Sequence, residues 1–231
     1  MTKLREIFNF LNKSSSEEKN NFYSKFGIKR SLLYRYAKLL KHNCEIGGPC
    51  YSKTYSSMII ENENKRIVAF GYNGPPSGLP HADSEEWLEH TYKNLLNDQE
   101  KHVLESKYEI FNAEEFIKKF KKSNRCIRKI FDYRTGEKLN LCPCAHSEIN
   151  TIINNCGRSL NGTTMISWSP IPCVNCSKYI VNSGIKNVIC CFDINSKDLR
   201  TYDESGSFIL EKSGVKLMFY EDDFSKKVPY Q

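Results

Sequence analysis

Two short segments constrain this chain more than any other feature: His146-Ser-Glu148 and Pro172-Cys173-Val-Asn-Cys176. One imidazole and two thiols are a ligand set for zinc, which binds them tetrahedrally and in catalytic sites leaves a fourth position for water. The metal lowers the pKa of that water to about 7, and a carboxylate placed like Glu148 can carry its proton. Each half also opens an expected helix. Ile149, Ile152 and Ile153 follow His146 with helical spacing. Pro172 suits the first turn of a second helix, which puts Cys173 and Cys176 at an N-terminus, where the dipole favours thiolate. The fold must therefore bring two helix starts together around one metal. The competing reading is a buried helix histidine beside two reduced structural cysteines.

A third segment, Lys65-Arg-Ile-Val-Ala-Phe70, is a short apolar strand that runs into the turn Gly71-Tyr-Asn73-Gly-Pro-Pro-Ser-Gly78. Alone, the turn is a tight loop in which Asn73 tolerates unusual dihedrals. Taken with H-x-E and P-C-x-x-C in this order, the chain resembles the deoxycytidylate (dCMP) deaminase family of the zinc-dependent cytidine/deoxycytidylate deaminase superfamily. The likeness spans residues 44–82 and 140–220.

The resemblance implies an α/β, three-layer cytidine-deaminase-like fold: a central mixed five-stranded sheet flanked by helices. It implies zinc held by His146, Cys173 and Cys176, with Glu148 as the catalytic proton carrier and Asn73 bonded to the sugar hydroxyl. Ser147, Ser169 and Tyr202 complete the expected substrate contacts, although Tyr202 reads equally as a surface aromatic. The family usually has Ala between the His and the Glu; here it is Ser147. Ile171 stands where a Ser usually precedes Pro-Cys, and Ser169 takes a displaced role two residues earlier.

The net charge of +7 is unevenly spread over the 231 residues. Residues 1–43 hold ten Lys/Arg against three Asp/Glu, and 115–138 hold nine against three. Residues 44–114 hold six against twelve, while 139–231 hold nine of each. Two basic segments thus flank a neutral to acidic body. Such asymmetry suits nucleic-acid contact, or solvated helices and a basic wall that attracts nucleotide phosphates. No run of 18 apolar residues exists, which excludes a membrane-spanning helix, and the N-terminus lacks the apolar core of a signal peptide. Ten cysteines without an export signal read as reduced and cytoplasmic.

Four of those cysteines, Cys44, Cys50, Cys142 and Cys144, form the expected ligands of a second, structural zinc, with His81 or His102 as substitutes for one thiol. The favoured reading is that they are small buried hydrophobes. Cys190 and Cys191 lie inside an apolar strand.

Along the chain, residues 1–43 read as helical, with 1–30 a basic extension and Ser31–Leu40 a helix carrying a broad apolar face. A hairpin is expected from Tyr55–Ile60 and Arg66–Phe70 across Glu61–Asn64. The deaminase domain then spans 31–231, with a helical insertion of two or three helices at 82–138 anchored by Phe111, Phe116, Ile117 and Phe120. Strands follow at Thr163–Trp168, Asn187–Phe192 and Val215–Tyr220, with a helix near Asp203–Lys212. Alternating strands and helices imply a mixed or parallel sheet covered on both faces.

The expected activity is hydrolytic deamination of a cytosine nucleotide, dCMP to dUMP, by a homo-oligomer. A second reading keeps the chemistry and moves the base into single-stranded DNA or RNA, held by basic segments interleaved with Tyr23, Phe26, Tyr34 and Tyr36 and with Phe116, Phe120, Phe131 and Tyr133. A third is a catalytically silent zinc module or a C-x-x-C redox protein, neither of which has a use for Glu148.

Overall fold

The computed structural model describes residues 15–24, 27–47, 50, 54–121, 123, 125–134, 136–193 and 204–224. In chain order the elements are α1 (Ser16–Ser24), α2 (Arg30–Gly47), β1 (Ser56–Ile60), β2 (Ile67–Tyr72), α3 (Glu85–His90), a π-turn (Thr91–Leu95), α4 (Asp98–Tyr108), α5 (Ala113–Phe120), α6 (Ile127–Ile130), a 3-10 turn (Leu139–Leu141), α7 (Ser147–Ile153), β3 (Thr164–Trp168), α8 (Val174–Asn182), β4 (Asn187–Asp193), α9 (Glu204–Lys212) and β5 (Lys216–Asp222). They form two compact units. One comprises 1–47, 55–72 and 146–231, the other 48–54 and 73–145.

The first unit holds one mixed sheet of five strands, ordered β2-β1-β3-β4-β5. β1 runs antiparallel to β2 and β3, whereas β3, β4 and β5 run parallel. The parallel pairs need crossovers, and α8 and α9 supply them. All five residues of β1 are buried, its serines as well as its apolar Met58, Ile59 and Ile60, as in a strand covered on both faces. Leu33, Ala37 and Leu40, one face of α2, join Met58, Ile59, Met165, Ile166, Val188 and Phe219 in this core. Fully burying each such side chain contributes about 1.5–3 kcal/mol before entropy is counted.

The basic extension is not peripheral to this core. Tyr23 of α1 is 1% exposed; its hydroxyl donates to the Phe219 carbonyl at 3.3 Å, and its ring meets Tyr220 edge-on at 5.2 Å. Arg30 bonds Asp222 at 2.8 Å and ties the start of α2 to the end of β5. Residues 1–14, including the first expected helix, lie outside the described residues.

The second unit is wider than the expected insertion and, among the described residues, carries four α-helices where two or three were expected. Leu88, Leu104, Phe116, Phe120, Ile127, Ile130 and Leu141 make its core. Phe111 does not anchor it: this residue precedes the Asn112 cap of α5 and is 64% exposed. The unit is instead organised around Glu100, 2% exposed. Glu100 closes a capping box with Asn97, accepts from the Tyr133 hydroxyl at 2.5 Å and pairs with Lys138 at 3.0 Å.

Candidate active site

The first unit places the His-x-Glu and Cys-x-x-Cys segments at adjoining helix starts. His146 is the N-cap of α7 and keeps an extended backbone (φ −72°, ψ 151°), and Cys173 caps α8 in the same way (φ −64°, ψ 168°). Pro172 precedes this cap instead of entering the first turn as expected. Its carbonyl accepts from the Ser177 hydroxyl at 3.2 Å. Gly206 of α9 packs so close that a Cβ there would lie 2.1 Å from the same carbonyl.

His146 Nδ1 lies 3.3 Å from Cys176 Sγ and 3.5 Å from Cys173 Sγ. Among the described residues, this is the one group that brings three such ligand atoms within 4.8 Å of one another. A nitrogen and two sulfurs suit zinc. The Cys176 thiol donates to the Cys173 sulfur; that bond, helped by His146 and opposed by burial, holds Cys173 down at about 4. The same bond, with burial, pushes Cys176 up. The residues present fit the metal.

Glu148 is 5% exposed. Burial pushes its carboxyl above the usual range, and the His146 charge opposes this. A carboxyl beside the metal ligands can accept a proton and return it. α7 is seated on β2 by Asn150 and Asn154, whose side-chain amides donate to the Tyr72 and Phe70 carbonyls at 2.8 and 3.1 Å.

The remaining expected residues fall differently. Ser147 is fully buried and bonded within the protein, to Ser57 at 2.9 Å and to Glu148 at 3.2 Å. It offers no surface to a substrate. Ser169 is 4% exposed and donates to the Pro170 carbonyl at 3.1 Å. Asn73, in the second unit, is 3% exposed. Tyr202 lies outside the described residues.

The four cysteines expected at a second metal are divided between the two units. Cys44 belongs to the first unit, where its thiol donates to Ser56 Oγ at 3.3 Å. In the second unit Cys144 is hydrogen-bonded to both Cys142 and Cys50. Cys126, which composition and spacing do not single out, lies near Cys50 and Cys142 and is itself buried. His81 and His102 are exposed and stay apart, His102 facing Glu105 at 3.8 Å. All ten cysteines are free thiols.

Residues 29–192 match the family model for the cytidine and deoxycytidylate deaminase zinc-binding region. The deoxycytidylate deaminase of Enterobacteria phage T2 is 28% identical over 166 residues, covering 69% of this chain and 77% of its own. The phage T4 enzyme of the same name is 27% identical over 166 residues, covering 69% and 75%. The dCMP deaminase of cyanophage S-TIM5, solved in complex with dCMP and dUMP, superposes with a TM-score of 0.49 at 17% identity, covering 83% of this chain and 98% of that one.

Proposed function

The chain belongs to the cytidine and deoxycytidylate deaminases by its zinc-binding region, and on that premise we propose that it hydrolyses dCMP to dUMP and ammonia. The observation that supports this best is a buried Glu148 two residues beyond a histidine whose Nδ1 faces two cysteine sulfurs. The names of the phage relatives support the nucleotide over other cytosine compounds.

His146 Nδ1, Cys173 Sγ and Cys176 Sγ would hold zinc, which when bound supplies Lewis-acid activation of water at neutral pH. Glu148 takes a proton from the attacking water and delivers it to ring nitrogen N3; it then takes the second proton from the hydroxyl now on C4 and passes it to the departing amine as the C4 carbonyl forms. Water adds, ammonia leaves, and Glu148 ends in its starting state. The sugar contact is assigned to Asn73 on the resemblance of its turn alone. Turnover of dCMP by the wild type, abolished in Glu148→Ala with zinc retained, is the expected result. Absence of dCMP turnover in a zinc-replete wild type overturns the reading.

A second reading, a cytosine in single-stranded DNA or RNA, is favoured by one feature of the first unit. Arg35, Lys38, Lys41 and His42 of α2 line an open groove of about 440 Å³ beside Tyr34, Glu45 and Phe224, with Lys41 also paired to Asp193 at 3.0 Å. Binding of a cytosine oligonucleotide that weakens steeply with salt, with turnover of the oligonucleotide only, supports this reading over dCMP.

A structural zinc in the second unit is proposed on Cys50, Cys126, Cys142 and Cys144, with Cys126 in the place expected for Cys44; no three of these sulfurs stand within 4.8 Å of one another, so they must draw together to take the ion. A unit with so small an apolar core gains from such a staple. Self-association is proposed through Ile153, Tyr179 and Phe208 of the first unit, which are 71%, 55% and 60% exposed; sedimentation velocity tests it. Among the described residues no helix is long and apolar enough to cross a membrane. The free thiols suit a reducing cytoplasmic setting.

A further inference from the structure

Behind Glu148 lies a set of buried hydroxyls that the proposed reaction does not itself require. Ser57 of β1 and Ser167 of β3 face each other in register across the antiparallel pair, and their Oγ atoms are 3.2 Å apart. Ser57 Oγ is also 2.9 Å from Ser147 Oγ, and Ser147 Oγ donates to Glu148 Oε2 at 3.2 Å. All three serines are 0% exposed. Thr151, also fully buried, donates from its hydroxyl to the Ser147 and Ser57 carbonyls at 2.7 and 3.1 Å, which fixes the backbone that carries two members of the set.

Proton counting gives this set a direction. Each serine hydroxyl has one proton to donate, and an ionised carboxylate only accepts. With Ser147 donating to Glu148, its proton is committed, so it must accept from Ser57. Ser57, having given its proton to Ser147, must accept from Ser167. The three hydroxyls thus point one way, from the sheet to the carboxylate, and each bond polarises the next. Buried hydroxyls are costly unless bonded, and here each has its partner only while the order is kept.

We propose that Ser147, backed by Ser57 and Ser167, is a positioning residue for the proton carrier: it fixes Glu148 Oε2 and so holds the carboxylate in one orientation for proton exchange with water and the cytosine ring. The position is the one that departs from the family pattern of the His-x-Glu segment. Ser147 touches neither substrate nor metal in this assignment. Its effect passes entirely through Glu148, and the effect of Ser57 passes through Ser147. The inference rests on the deaminase reading for its kinetic test but not for its structural one.

The experiment compares wild type, Ser147→Ala, Ser57→Ala and the double variant. Zinc content and thermal midpoint are measured on each, so that a variant that fails to load or fold is recognised as such. In Ser147→Ala, kcat for dCMP should fall about tenfold with KM within twofold, because the reacting group is misplaced while binding is unchanged. Ser57→Ala should lower kcat less, and the double variant should match Ser147→Ala, since members of one series do not add. Crystals of Ser147→Ala should show Glu148 in more than one rotamer. A kcat within twofold of wild type in folded, zinc-loaded Ser147→Ala, additive losses in the double variant, or one unchanged Glu148 rotamer would each overturn the proposal in favour of plain helix docking. If the wild type does not turn over dCMP, the deaminase reading fails, and the rotamer measurement still decides this inference.

Discussion

A methyl group at Gly71 would stand 2.6 Å from the backbone nitrogen of Thr151, and equally close to its hydroxyl. No Cβ fits there. The contact brings α7 onto the sheet, and it is the same closeness that lets the Thr151 hydroxyl reach the Ser57 carbonyl. Gly71 in the Gly-Tyr-Asn-Gly turn therefore serves the proton carrier from a neighbouring strand. Gly71→Ala should cost about 3 kcal/mol through overpacking against backbone that cannot swing aside. Chemical denaturation should show the loss, and the soluble fraction should retain less activity per bound zinc than wild type.

Glu148→Gln keeps size and hydrogen bonding but cannot take up a proton. It should lower kcat by about 10²–10⁴ while zinc content and thermal midpoint stay near wild type. Parallel loss of zinc would mean that Glu148 supports the metal centre as well.

Cys176→Ser removes a fully buried sulfur from the set facing His146. Dialysed protein should lose the site's zinc and its activity together, because oxygen from serine is a poor substitute for thiolate. Elemental analysis beside a dCMP assay checks both.

Cys142→Ser should lower the zinc content from two ions per chain to one and leave the remaining ion with the catalytic triad. Wild-type protein that binds a single zinc after purification in a reducing, metal-replete buffer would refute the second site.

Glu100 gives the second unit a dependence on acid. Burial raises its carboxyl, but the Tyr133 hydroxyl, the Asn97 amide and Lys138 together outweigh burial and hold it below its ordinary value. A depressed folded-state pKa stabilises above the unfolded value, near 4.3, and that stability is lost as pH falls through the lower folded value. The thermal midpoint should therefore drop between about pH 5 and pH 3, and less so in Glu100→Gln. An identical acid slope in the variant would assign the drop to other carboxylates.

What the sequence by itself determined was the chemistry and most of the first unit. His146, Glu148, Cys173 and Cys176 are legible because each pair sits within one helix turn, where spacing along the chain is spacing in space. The hairpin and the parallel strands are legible because fully apolar or β-branched runs bounded by turns have few alternatives. Only the tertiary structure decided the rest. Cys126 comes near Cys50 and Cys142 across long stretches of chain that spacing along the sequence does not connect. Ser57 and Ser167 meet Ser147 because strand register, not sequence distance, sets which side chains face one another. Tyr23 turned out to belong to the core and Phe111 to the surface, since a lone aromatic has no periodicity to declare its side.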